Sequence, residues 1–156
     1  MAAFSDFAEN KLIDFFFRAQ ALGITGATAA AATGPATLYL ALYTANPTDS
    51  TAGTEVTGGA YARVAVTSSL ANWAGTQGAG TTVASSGSTG TTSNNAVITF
   101  PAPTANWGVV TGVGALDAST AGNLLFYSAL TTNKTINNGD AAPSFAAGAL
   151  TFQLDN

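Results

Sequence analysis

The sequence predicts a mainly β protein: an antiparallel β-sandwich of about seven short strands preceded by one N-terminal amphipathic α-helix. Three observations predict it. One segment near the N-terminus carries apolar residues at helical spacing. From residue 37 onward the apolar residues alternate in short runs. Those runs are separated by clusters of Gly, Pro, Asn, Asp, Ser and Thr that make turns. The 156 residues fit one domain, 1–156, long enough to bury roughly 70% of the unfolded surface.

The helix is expected over residues 6–21. Ser5 stands as N-cap, and Asp6 and Glu9 fall in the first turn, where the helix dipole favours negative charge. Ala8, Leu12, Phe15, Phe16, Ala19 and Leu22 recur at 3.6 spacing, while Phe7, Ile13 and Phe17 spread onto the flanks. Phe15, Phe16 and Phe17 cannot all face one small core. Either the helix packs on its own sheet, or part of its stripe docks on another subunit, which makes these three rings interface candidates.

A linker is expected at 22–36, punctuated by Gly23, Gly26 and the Gly34-Pro35 pair. The sandwich then runs over 37–156. "TLYLALYT" sets Leu38, Leu40 and Leu42 against Tyr39, Ala41 and Tyr43, so both faces of this strand need cover. Tyr39 and Tyr43 join the interface candidates. "NPTDSTAGTEVTGG" is turn chemistry, and "AYARVAVTSSL" resumes the alternation, with Arg63 inside the strand on the same face as Tyr61. Residues 74–95 hold a single Val among Gly, Ser and Thr, which is too little to fill a core. A flexible excursion or arm, ordered by a partner, is the expectation there. Strands follow at "AVITF", "WGVVTGVGALDA", "LLFYSAL" and "GALTFQLD", with "STAGN" closing a hairpin between the second and third.

Composition narrows the chemistry. Charged residues make up 8% of the chain and the net charge is −4, against about 25% charged in an ordinary soluble domain. Four scattered cations, Lys11, Arg18, Arg63 and Lys134, form no basic stripe, which argues against nucleic acid as a partner. No stretch reaches the roughly 20 apolar residues of a membrane span, and acid stands near the N-terminus where a secretion signal carries base. Without histidine or cysteine, the usual triads and zinc sites are missing. No calcium-loop or phosphate-cradle pattern is present either, so no cofactor and no metal are expected. Of the eight acids, three lie on the helix and most others at turns, and no motif ties two together as a catalytic pair.

Two constellations remain. Trp73 and Trp107, with the tyrosines, could form a sugar-stacking platform, although aromatics in strands more often fill cores or interfaces. Arg63 in a low-dielectric sheet needs a carboxylate or several carbonyls. Glu55 and Asp117 are the candidates, and a structural latch is the preferred reading.

Taken in order, "FSDFAENKLIDFFFR", "PATLYLALYT", "TEVTGGAYARVAV", "AVITFPAPTANWGVVTGVGALDA", "GNLLFYSALTTNKTINNGD" and "FAAGALTFQLD" resemble a family of small tailed-bacteriophage virion structural proteins commonly labelled tail-fibre-like. The Ala-rich connector at 23–34 and the "AGTQGAGTTVASSGSTG" segment depart from it by their length. The resemblance implies a non-enzymatic structural role on the virion, with Tyr61, Arg63, Trp107 and Asp117 in the shared scaffold and no catalytic residues. The short chain suits a capsid decoration or cement protein better than a fibre shaft. By analogy it would be a homotrimer on the outer surface of the capsid, clamping the major capsid protein or a neighbouring virion protein. The alternative is a tail-fibre or baseplate module that binds host-surface glycan.

Overall fold

A computed structural model describes residues 4–24 and 34–154. The predicted linker therefore falls largely outside the described residues. The fold is mainly β, antiparallel and sandwich-like, behind one N-terminal helix. That helix is α1 (Asp6–Arg18). The strands are β1 (Thr37–Ala45), β2 (Thr54–Glu55), β3 (Val64–Thr67), β4 (Thr91–Ser93), β5 (Ile98–Thr99), β6 (Gly108–Leu116), β7 (Leu124–Ile136), β8 (Ser144–Phe145) and β9 (Thr151–Gln153). They exceed the predicted number because β2, β5 and β8 are two-residue pairings too short to show alternation. Among the described residues no helix is long and apolar enough to cross a membrane.

The chain divides into two compact units. The first takes Met1–Thr37, Thr67–Val97 and Phe145–Asn156, and the second takes Leu38–Val66 and Ile98–Ser144.

In the first unit, Ser5 Oγ accepts from the Ala8 N–H and starts α1 as predicted. The helix stops at Arg18, three residues short of the expected end. Ala19 turns left-handed (φ 54) and the Gln20 N–H folds back onto the Asp14 carbonyl, a closure that normally selects Gly and that apolar periodicity does not register. The buried face also differs from the predicted stripe: it is Glu9, Ile13, Asp14, Phe17 and Arg18. Charged groups enter because each of Asp14 and Arg18 is neutralised and hydrogen-bonded there. Phe17 packs edge-on to Trp73 at 5.0 Å between ring centroids and lies 5.3 Å from Phe152, which forms the apolar centre of the unit with Ile13 and Leu150.

Residues 74–95 belong to this unit and are ordered within it, with Thr76, Thr92, Ser93 and Asn94 all buried. Hydrogen bonds do what apolar side chains do elsewhere. β4 pairs with β9 from Thr91↔Gln153 to Ser93↔Thr151. Asn94 then extends the ladder with its side chain, donating to the Ala96 and Ala146 carbonyls and accepting from the Leu150 N–H at 2.9 Å.

The second unit is a five-stranded sheet in the order β2-β1-β6-β7, with β3 also paired to β1. Both faces of β1 are covered, as its alternation predicts: Leu38, Leu40, Ala41, Leu42 and Tyr43 are all buried. Gly114 of β6 stands opposite Ala41. A Cβ there would lie 2.9 Å from the Tyr43 ring and 2.8 Å from Leu124, so the bare backbone is what lets Tyr43 pack with Ala41, Leu116 and Leu124. The hairpin predicted around "STAGN" joins β6 to β7. Along it the register skips: Gly112 pairs with Ala129 but Val110 with Lys134, so Leu130–Asn133 loop out of the ladder.

Candidate functional site

Arg63 lies one residue before β3 rather than inside a strand. The reason is the turn ahead of it. Gly58, Gly59 and Ala60 all have positive φ (74, 54 and 61), and this left-handed run delays the start of the strand. The indole Nε1 of Trp107 donates to the Gly59 carbonyl at 2.9 Å. The Tyr61 ring meets Trp107 edge-on at 5.3 Å and stacks on Phe100 at 6.4 Å. Its hydroxyl accepts from the Leu42 N–H at 2.9 Å and donates to Glu55 at 3.0 Å.

Arg63 and Glu55 form a two-bond fork: Nε to Oε1 at 2.9 Å and Nη2 to Oε2 at 2.7 Å. Nη1 reaches the other way and donates to the Ala118 and Ala121 carbonyls at 2.7 and 2.8 Å. The guanidinium thus ties the β2 segment to the β6–β7 hairpin loop. Asp117 is not bonded to it. Its carboxylate accepts from the backbone N–H and side-chain amide of Asn123, at 2.7 and 2.8 Å, and so closes the loop whose carbonyls Arg63 uses.

The electrostatics follow this geometry. Burial, reinforced by the Glu55 charge, pushes the Tyr61 hydroxyl well above the ordinary tyrosine range, and Tyr43 moves the same way for the same first reason. The hydrogen bonds it donates to Glu55 hold the Arg63 guanidinium still more firmly protonated. Asp117 is lowered, chiefly by the Asn123 side-chain bond, with Arg63 the smallest contributor. The cluster joins the Arg63 guanidinium to the Glu55 carboxylate through a two-bond fork.

The interface candidates separate into two sets. Phe17, Tyr43, Trp73 and Trp107 are buried within the chain's own units, the core position weighed in the sequence against an interface or a sugar platform. Each fills space beside a glycine or another ring, which alternation along a strand does not reveal. Phe15, Phe16 and Tyr39 are half-buried. Among the described residues, the exposed large apolar ones are instead Phe4, Phe7, Ile24, Val83, Val97, Val109 and Tyr127.

Sequence reasoning missed a second polar cluster. Arg18, with no exposed surface, pairs with Asp14 at 2.6 Å and donates to Ser85 Oγ and to the Trp73 and Val83 carbonyls. Asp14 also takes the Ser85 N–H at 2.9 Å and the Ser85 hydroxyl at 2.6 Å. One turn earlier, Asn10 donates to the Gly87 carbonyl and accepts from the Thr76 hydroxyl. The signal was present: Asn10, Asp14 and Arg18 lie at i, i+4 and i+8, a polar stripe along one helix face.

The carboxylates are engaged separately, Glu55 on Arg63, Asp14 on Arg18, Asp117 on Asn123 and Asp140 on the Asn137 N–H. Each of these ionic groups thus braces a segment or loop of its own fold. The chain belongs to the family of the Podophage GP4 fiber I protein gp80, whose family model matches residues 3–153. It is thus a component of the phage fibre type. No curated protein matches the chain.

Proposed function

We propose that the chain is a non-enzymatic structural module of a tail fibre, working as a homotrimer attached to a neighbouring virion protein. The family match across residues 3–153 carries this reading. The dispersed carboxylates and the two braced arginines support it, because each serves its own fold and none converges on a shared substrate position. The name of the family favours a fibre over the capsid decoration that the short chain suggests. Nucleic acid and membrane are not among the partners proposed.

Arg63 acts in this reading as the latch between Glu55 and the loop that Asp117 closes, holding the hairpin in the shape that assembly requires. Immunogold labelling of intact particles with an antibody to the chain tests the location. Gold on the tail is expected. Gold over the head would replace the fibre reading with decoration, and unlabelled particles would remove the chain from the virion altogether.

A further inference from the structure

The turn joining β1 to β2 and the start of β7 border an open cleft of about 510 Å³. Its most prominent wall is Tyr127, 41% exposed in a chain whose two tryptophans are buried. The ring is held in place because its hydroxyl donates to Asp49 Oδ1 at 2.7 Å. The turn beneath Asp49 is also held: Thr48 and Thr51 exchange backbone hydrogen bonds, and their hydroxyls bond each other at 2.7 Å. Among the described residues, Asp49 Oδ2 and Ser50 Oγ have no hydrogen-bond partner. Leu124 and Leu125, both half-buried, complete the lining.

The cleft therefore presents a fixed aromatic ring and an aliphatic patch beside an open carboxylate oxygen and an open hydroxyl. A ligand matching all of these needs an apolar C–H face and several hydroxyl donors on its rim, which is the chemistry of a pyranose. No cation lines the cleft. With Asp49 at its edge and a net charge of −4, an acidic sugar or a phosphorylated ligand is repelled. We propose that this cleft binds a neutral sugar residue, stacked on Tyr127 and donating a hydroxyl to Asp49 Oδ2. Little ordering is needed on binding, since the ring and the turn are already fastened. The inference rests on the fibre reading for its purpose alone, which would be contact with a host-surface saccharide.

The test uses the purified full chain and free glucose, galactose, mannose and N-acetylglucosamine, with glucuronic and galacturonic acid as charged counterparts, followed by saturation-transfer NMR and titration. At least one neutral sugar should bind with a millimolar dissociation constant. Replacing Tyr127→Ala should weaken it about tenfold or more through loss of the stacking ring. Asp49→Asn should weaken it about tenfold through loss of a charge-assisted hydrogen bond. Both variants should keep the circular dichroism spectrum of the parent. Ser50→Ala, on the exposed turn, serves as a second probe if Tyr127→Ala does not fold, and should also weaken binding. The proposal is overturned if none of the neutral sugars binds, if the cleft variants bind as the parent does, or if the uronic acids bind as tightly as the neutral sugars. Tail labelling without sugar binding would sink the cleft and leave the fibre standing, whereas sugar binding by a chain labelled on the head would do the reverse.

Discussion

At Arg63 a single side chain satisfies four acceptors, two on Glu55 and two on the hairpin loop. Replacing it with alanine leaves Glu55 with the Tyr61 hydroxyl but without its counter-ion, and two carbonyls without their donor. The side chains of the pair are 10% and 24% exposed, so water recovers part of the loss. A destabilisation of about 2–3 kcal/mol is expected, seen as a melting temperature lower by about 5–10 °C. Arg63→Lys should recover only part of it, because a single ammonium cannot make the fork. An alanine variant that melts with the parent would show that the latch carries no stability. Titration of the same cluster has a defined sign. Tyr61 is raised above its ordinary value of 10.0, so its contribution is complete below pH 10 and is lost as pH climbs through the higher folded value. In an alkaline titration the last phenolate step should coincide with unfolding and be missing in Tyr61→Phe. Asp117 is lowered from 3.8, so its hold on Asn123 persists at neutral pH and loosens only below that value, which amide exchange at Asn123 would report. Of these residues, the need of Arg63 for a carboxylate, with Glu55 as a candidate, was readable from sequence. That carbonyls could serve was readable as well, but not which ones, since backbone acceptors carry no residue signature.

Among the elements, β1 was legible because its residue types alternate along the strand, and the β6–β7 hairpin because a Gly-containing turn separates two apolar runs. The helix was legible in its start and its type but not in its orientation. Phe15 and Phe16 drew the predicted stripe toward themselves, whereas the buried arc runs through Ile13 and Phe17 and takes in Asp14 and Arg18. Pattern reading assigns charges to solvent, and it fails where two charges and a serine satisfy one another out of water. The same failure hid the order of residues 74–95, whose packing rests on Thr76, Ser85 and Asn94. Asp14→Ala removes the acceptor of the Ser85 N–H and hydroxyl and leaves Arg18 buried without its counter-ion. The cost should reach about 3–5 kcal/mol. Limited proteolysis should then cut within residues 77–90, a stretch expected to resist in the parent. Equal resistance in both proteins would mean that α1 does not fasten this segment.

Taken whole, the molecule carries few charges for its length, and the homotrimer proposed above would cover part of that weakly charged surface. Sedimentation at neutral pH is expected to give three times the 15.4 kDa chain mass, and a monomer at all concentrations would contradict the homotrimer. With an isoelectric point near 4.2, solubility should be lowest around that pH, where repulsion between copies vanishes. Family membership was legible in the ordered blocks of sequence, while position on the particle is not encoded in any one of them. The register skip at residues 130–133 bears on the outer rim of the sheet. β7 is the outermost strand on its side of the sheet, and an unbroken outer rim thirteen residues long would invite neighbours to add on without end. The skipped register breaks the regular run of backbone groups along that rim, a device that makes an edge a poorer template for a further strand.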